Sequence, residues 1–185
     1  SIKSIGEGAF SDCWNSLKEV HISDIGNFCQ IDFENNESNP LNFARHLYID
    51  GEELSEVIIP EGVSKISKFA FREGEGITSV SIPNTVSTIG EYAFSNCWNL
   101  KTITLGDGIQ TIGEYAFESN WNLQRTYIPD EAWLYHVSID SKGNECLFNH
   151  DLYVGKVPMT SLEVPDNIVD CPILPLLYNS SITSL

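Results

Sequence analysis

The hexapeptide Ile-Gly-Glu-Tyr-Ala-Phe occurs at residues 89–94 and again at 112–117, and each copy is followed after three residues by Trp-Asn-Leu. Ile66 opens a looser copy, so that Ile66, Ile89 and Ile112 are each 23 residues apart. The surroundings keep the same step. Val63, Val86 and Ile109 precede the motif isoleucine, and Ala70-Phe71, Ala93-Phe94 and Ala116-Phe117 follow it. Farther along come Ile77, Leu100 and Leu123, then Val80 and Ile103, then Ile82, Leu105 and Ile128. A fixed period of this length predicts a solenoid of stacked coils.

One unit reads in two halves. In Leu100-Lys101-Thr102-Ile103-Thr104-Leu105 the residues alternate, Ile103 and Leu105 inward and Thr102 and Thr104 outward, as a half-buried strand requires. Parallel strands are therefore expected at 77–82, 100–105 and 123–128. Ile109, Ile112 and Ala116 are three and four residues apart, which predicts a short helical turn on the opposite side, closed by Phe117. Asp107-Gly108 separates the halves here, and Pro60, Pro83, Pro129 and Pro165 punctuate other units. A single coil cannot bury its apolar edge; stacked on neighbours, it does.

The flanks obey the same rule. Ile2, Ile5, Ala9 and Phe10 begin a unit that continues in Leu17, Val20 and Ile22; Leu54, Val57 and Ile59 supply another strand, as do Met159, Leu162 and Val164. Ile168, Cys171, Leu176, Ile182 and Leu185 keep register with the third copy of the motif, so Leu185 falls midway through a strand. The chain is accordingly expected to be a piece of a longer one, with its last residues mobile or packed on another chain. Two stretches, 23–53 and 130–158, break the period and resemble each other, His46-Leu-Tyr-Ile-Asp-Gly against Asp151-Leu-Tyr-Val-Gly. Each is expected to be an enlarged coil with an extra extended segment, at 47–49 and 152–154, turning at glycine. Asp50-Gly51 suits a tight hairpin. Residues 1–185 are read as one domain.

Composition narrows the function. With 26 Asp and Glu against ten Lys and Arg, the formal charge of −16 excludes nucleic acid and anionic membrane as partners. No apolar run reaches the length of a membrane span. The five cysteines lack metal-ligand spacing; Cys13 and Cys97 share one slot, held by Asn120 in the third unit, and read as small buried fillers. Cys171 reads likewise. The histidines, His21, His46, His136 and His150, show no HExxH spacing and suit loop or strand-edge hydrogen bonding. No GxSxG elbow and no DxDxDG calcium loop occurs. Glu91 and Glu114 recur because the repeat does. Neither catalysis nor a cofactor nor a metal is expected.

Units of the form IP..V..IG..AF..C..L..V, with the interruption NPLNFARHLYIDGEELSEVIIPEGV, resemble the BspA-like leucine-rich-repeat proteins. The resemblance covers nearly all of the chain and implies a curved α/β solenoid, with a parallel sheet on its concave side and short helices or turns on the convex side. It implies export or surface attachment, in keeping with a bacterial surface or secreted protein, and adhesion to a host or microbial surface protein or glycan. It implies no catalytic residues. Ile89, Ala93, Phe94, Cys97, Leu100, Ile103 and Leu105 match the family's buried positions. The asparagine ladder of ordinary leucine-rich repeats is missing, since Gly62, Thr85, Gly108, Glu131 and Asn167 stand in its place.

Two surfaces are candidates for binding. Trp98 and Trp121 are one unit apart, with Trp14 in a comparable place, and are expected to form a partial stack on one rim. That stack either covers the core edge or offers a flat platform to a sugar or peptide. The concave sheet would present Glu19 and His21, Glu56 and Ile58, Ser79 and Ser81, Thr102 and Thr104, Arg125 and Tyr127, and Ser161 and Glu163. Its middle is a flat Ser/Thr strip, suited to protein recognition more than to a small-molecule pocket. The expected function is a non-enzymatic binding module; the alternative is a structural spacer or stalk of a larger surface protein.

Overall fold

In the computed structural model, which describes residues 1–140 and 142–163, chain segments one unit apart lie side by side and bond through their backbones. Three separate ladders result. The first is the expected sheet. Glu56–Ile58, Ser79–Ser81, Thr102–Thr104, Arg125–Ile128 and Asp151–Val154 run parallel in that order, and Val157–Pro158 closes the edge antiparallel. Ile103 pairs with Val80 on one side and Thr126 on the other, so each strand places one residue directly over its counterpart. Ile82 and Leu105 prolong the pairing by donating to Thr104 and Tyr127 carbonyls at 2.9 Å.

The second ladder replaces the helical turn that the spacing of Ile109, Ile112 and Ala116 suggests. Lys65–Ile66, Thr88–Ile89, Thr111–Ile112 and Ser138–Ile139 form a parallel sheet on the other side of the core. Helix would direct each amide back within its own coil; instead Gly90 donates to the Ile66 carbonyl and Gly113 to that of Ile89, both at 2.9 Å. Neighbouring coils provide these partners at constant spacing, and β-branched Ile and Thr favour the extended choice. The α-helices among the described residues, Ile25–Phe28, Leu41–Ala44 and Trp133–His136, all lie in the enlarged coils.

The turn that carries the Glu-Tyr-Ala-Phe segment makes the third ladder. Tyr92 donates to Glu114 at 3.0 Å, Phe94 to Ala116 at 2.7 Å and Asn96 to Glu118 at 2.8 Å, and Phe69, Phe71 and Glu73 do the same one coil earlier. To aim alternate amides outward the backbone turns left-handed twice per coil. Phe69, Tyr92 and Tyr115 have φ of 62°, 54° and 57°; Glu73, Asn96 and Ser119 have 63°, 58° and 61°. Gly8 holds the first of these positions in the opening unit, at φ 64°.

Inside, Phe71, Phe94 and Phe117 stack nearly parallel at 5.1 and 5.4 Å, and Phe28 meets Phe71 edge-on at 5.6 Å. The motif glycine is needed for close approach between coils. A Cβ on Gly90 would stand 2.5 Å from the Lys68 amide nitrogen, and one on Gly113 would stand 2.8 Å from that of Glu91. Ser67 holds the corresponding place one coil earlier, where its amide donates to the Cys29 carbonyl of the enlarged coil at 2.8 Å.

Cys97 is more than a filler. Its thiol donates to the Phe71 carbonyl at 3.2 Å, the Asn120 amide to Phe94 at 3.0 Å, and the Cys146 thiol to Phe117 at 2.8 Å. A side-chain ladder thus ties each coil to the turn before it. Burial pushes both thiols up to about 12, which keeps them protonated donors. Cys13, in the same sequence slot, is only half-buried.

Both enlarged coils contain the expected hairpin. Leu47–Ile49 pairs antiparallel with Glu52–Glu53 around Asp50 and Gly51, at φ 52° and 86°; Asp151–Val154 pairs with Val157–Pro158 around Gly155, at φ 58°. Buried amides lock them to the regular coils. Asn39 donates to Phe69 and Ala70 carbonyls at 2.7 and 3.0 Å, and Asn144 donates to Gly113 at 2.9 Å while accepting from Phe117 at 3.1 Å. The first hairpin divides the concave side. Val20–Ile22, Leu47–Ile49 and Glu52–Glu53 form a three-stranded sheet of their own. The readings made for Val164, Ile168, Cys171, Leu176, Ile182 and Leu185 lie outside the described residues.

Candidate functional site

Strand register sorts the outward side chains of the larger sheet into two rows. One runs Glu56, Ser79, Thr102, Arg125, Asp151; the other runs Ile58, Ser81, Thr104, Tyr127, Tyr153. Alternation along each strand sends these residues out while Val57, Val80 and Ile103 go in. The Tyr127 and Tyr153 rings lie 4.9 Å apart, tilted by 31°. On the smaller sheet His21 stacks on Tyr48 at 4.9 Å and 21°, with Glu19 holding the His21 Nε2 at 2.9 Å. The Tyr127–Tyr153 pair thus adjoins a strip of hydroxyl groups on one side, and Glu56 and Ile58 border it on the other.

Tyr48 and Tyr153 are absent from the candidates drawn from sequence. Their signal was available: in Leu-Tyr-Ile and Leu-Tyr-Val the leucines, Leu47 and Leu152, are buried, so the tyrosine between two apolar neighbours must face outward. The strip's charges sit mainly at its ends, Glu19, Glu53 and Glu56 on one side and Asp151 and Glu163 on the other. Arg125 is exposed and has no ion pair among the described residues. Ile58 is 62 % exposed, an apolar side chain in an otherwise polar neighbourhood. Ser161 and Glu163 are exposed beyond the second hairpin. A shallow groove of about 660 Å³ runs beside Tyr127, between Thr104, Leu105 and Pro129 and the hairpin tip at Gly155 and Lys156. The surface offers aromatic faces, hydroxyls and a groove, an arrangement able to bind an extended chain.

The tryptophan rim departs from expectation. No ring contact joins Trp98 to Trp121. Trp98 instead lies 5.5 Å from the Arg45 guanidinium carbon, and the same guanidinium pairs with Glu75 at 2.6 Å. The cation attracts the indole face electrostatically and is held there by the carboxylate, so Trp98 is engaged within the molecule. Trp14 packs edge-on against Phe43 at 4.7 Å. The aromatic stack at unit spacing is formed by Phe69, Tyr92 and Tyr115, at 5.5 and 4.9 Å, on the left-handed turn. Trp121 is left 81 % exposed.

Each histidine has a partner of its own. His46 Nδ1 meets Glu53 at 2.6 Å, His136 Nδ1 meets the Ala132 carbonyl at 2.6 Å, and His150 Nε2 meets the Thr126 hydroxyl at 2.9 Å. Burial lowers the His150 pKa to about 4, against a weaker opposite pull from Asp151. Of the recurring carboxylates, Glu114 pairs with Lys142 at 2.6 Å. Among the described residues no three His, Cys, Asp or Glu side chains converge on a metal position, and no helix is long and apolar enough to cross a membrane.

The model of the BspA type leucine-rich repeat region matches six copies, over residues 1–53 and 42–168. Curated protein sequences give no match. Among solved structures, a leucine-rich repeat protein of T. pallidum is 22 % identical with a TM-score of 0.42, and the match covers 60 % of this chain and 59 % of that one. A leucine-rich cell surface protein of Faecalibacterium prausnitzii is 20 % identical with a TM-score of 0.45, over 83 % of this chain and 51 % of that one. A leucine-rich repeat protein of Bacteroides ovatus is 23 % identical with a TM-score of 0.41, over 61 % and 40 %. The matched region thus spans roughly half the length of these relatives.

Proposed function

The chain belongs to the BspA-type leucine-rich-repeat family, and from that premise we propose that it is a non-enzymatic binding module, secreted or displayed at a cell surface, that recognises a host or microbial protein or glycan through its concave side. Repeat regions of this family typically serve as protein-binding surface modules. The observation that carries the reading is the hydroxyl strip of Ser79, Ser81, Thr102 and Thr104, continued on the same sheet by the Tyr127–Tyr153 pair. Tyrosines bury large area at small entropic cost, and serines and threonines adapt their hydrogen bonds to either partner class. The shortness of the same four side chains favours a second reading, that of a structural spacer in a larger surface protein.

Matrix-protein and glycan arrays, probed at physiological salt, separate the two. Salt matters because a chain of charge −16 attracts cationic material non-specifically when screening is weak. A saturable ligand whose binding is abolished by Thr104→Arg, in a variant that melts like the parent, supports the concave surface. Absence of any saturable ligand supports the spacer. Turnover of a screened polymer, lost on a single substitution, overturns the non-enzymatic reading.

A further inference from the structure

Glu75, Trp98 and Trp121 occupy one position in three successive coils. A single cation serves the first two. Arg45 places its Nη1 2.6 Å from the Glu75 carboxylate and its guanidinium carbon 5.5 Å from the Trp98 ring. Aromatic face, carboxylate and planar cation together make a recognition unit assembled from the protein's own side chains.

Trp121 has the aromatic face without the cation. It is 81 % exposed, and no cation of the chain lies over its ring among the described residues. Beside it opens a cavity of about 410 Å³, lined also by Glu118, Asn120, Glu145 and Asn149. Neither Glu118 nor Glu145 forms an ion pair among the described residues. Asn120 is 1 % exposed; its Nδ2 donates to the Phe94 carbonyl, while its Oδ1, a buried acceptor, has no partner among the described residues. Cys146 and His150 also line the cavity, which therefore combines an indole face with carboxylates and, among the described residues, no Lys or Arg.

We propose that the cavity at Trp121 is a binding site for an arginine side chain of a partner protein, which repeats in trans the arrangement that Arg45 makes in cis at Trp98. The cation comes from outside because this chain is poor in them, with ten Lys and Arg against 26 Asp and Glu. Arginine fits better than lysine: its flat guanidinium covers an aromatic face and presents a fork of donors to a carboxylate, whereas an ammonium is a strongly hydrated point charge. The proposal rests on the binding-module reading only in taking the partner to be a protein, and it places the contact on the rim, apart from the concave strip.

The test uses N-acetyl-arginine amide and a Gly-Arg-Gly peptide, with the citrulline and lysine analogues as controls, titrated at physiological salt. Binding is followed through the indole Nε1–H resonances. The arginine probes are expected to shift the Trp121 resonance saturably, lysine more weakly and neutral citrulline not at all. Trp121→Ala should weaken the peptide by about fivefold or more, the equivalent of one cation–π contact, and Glu118→Gln with Glu145→Gln should weaken it further. Arg45→Ala should add a second arginine site, at Trp98 and Glu75. Equal binding of citrulline, unchanged affinity in folded Trp121→Ala, or no second site in folded Arg45→Ala would overturn the proposal. A concave-side ligand from the arrays that ignores Trp121→Ala would leave the binding-module reading standing while this one failed.

Discussion

The Tyr92 and Tyr115 rings lie 4.9 Å apart and within 10° of parallel, each on a backbone turned left-handed at φ 54° and 57°. Stacking and strain occur at the same residue. For a side chain other than glycine the left-handed region costs about 1–2 kcal/mol, yet only this geometry sends the Tyr92 amide to the Glu114 carbonyl. Ring contact offsets part of the strain. Tyr92→Ala keeps the strain and loses the ring, whereas Tyr92→Gly loses both. Urea unfolding should therefore rank the parent above Tyr92→Gly, and Tyr92→Gly above Tyr92→Ala by about 1 kcal/mol. The reverse order of the two variants would show that strain at this turn is negligible.

Phe94 sits between Phe71 and Phe117 with no exposed surface. Rigid coils on both sides prevent collapse around a missing ring. Phe94→Ala should destabilise by about 3–5 kcal/mol in equilibrium denaturation. A loss under about 1 kcal/mol would mean that the coils can close on the cavity.

Gly90 answers to space and not to conformation, since a Cβ there would press on the backbone of Ser67 and Lys68. Backbone gives way less easily than side chain. Gly90→Ala is expected to cost about 2–3 kcal/mol, while Ser67→Ala, one coil earlier, should stay within about 1 kcal/mol of the parent. Similar melting temperatures for the two variants would contradict the close approach.

His150 ties the second enlarged coil to the core through the Thr126 hydroxyl. Its pKa is lowered from the ordinary 6.5 to about 4, so between these values the unfolded chain holds a proton that the folded chain does not. Stability from this group is whole above pH 6.5, declines as pH falls through the window, and is gone below about 4. In His150→Gln the denaturation midpoint should drop less than the parent's between pH 7 and pH 4.5. Parallel pH profiles would show that His150 does not titrate on unfolding.

Much of the fold was legible because burial has a local sign. Ile103 and Leu105 announce the inward face of a strand, and Ile66, Ile89 and Ile112 announce a period; Asp50-Gly51 and Gly155 mark hairpins that form where expected. The concave candidates Ser79, Ser81, Thr102 and Thr104 follow from the same alternation. Tyr48 and Tyr153 could have been read in the same way, and only the irregular length of their coils obscured them.

What the sequence by itself determined is which residues face the core and at what interval they return, because hydrophobic burial at a fixed period admits one arrangement, a stack. Tertiary structure alone decided how the backbone between those residues is paired. Ile109, Ile112 and Ala116 carry helical spacing, yet the middle of their segment becomes a ladder, since the Gln110, Thr111 and Gly113 amides find acceptors at Ser87 and Ile89, 23 or 24 residues away and not four. The side-chain bonds of Cys97, Asn120 and Cys146 are of the same kind, being made to carbonyls of another coil. The Trp98 ring met Arg45 in place of Trp121 because Arg45, held by Glu75, brings a cation to the indole face. Local propensity is blind to such partners, and they exist only once the coils are stacked.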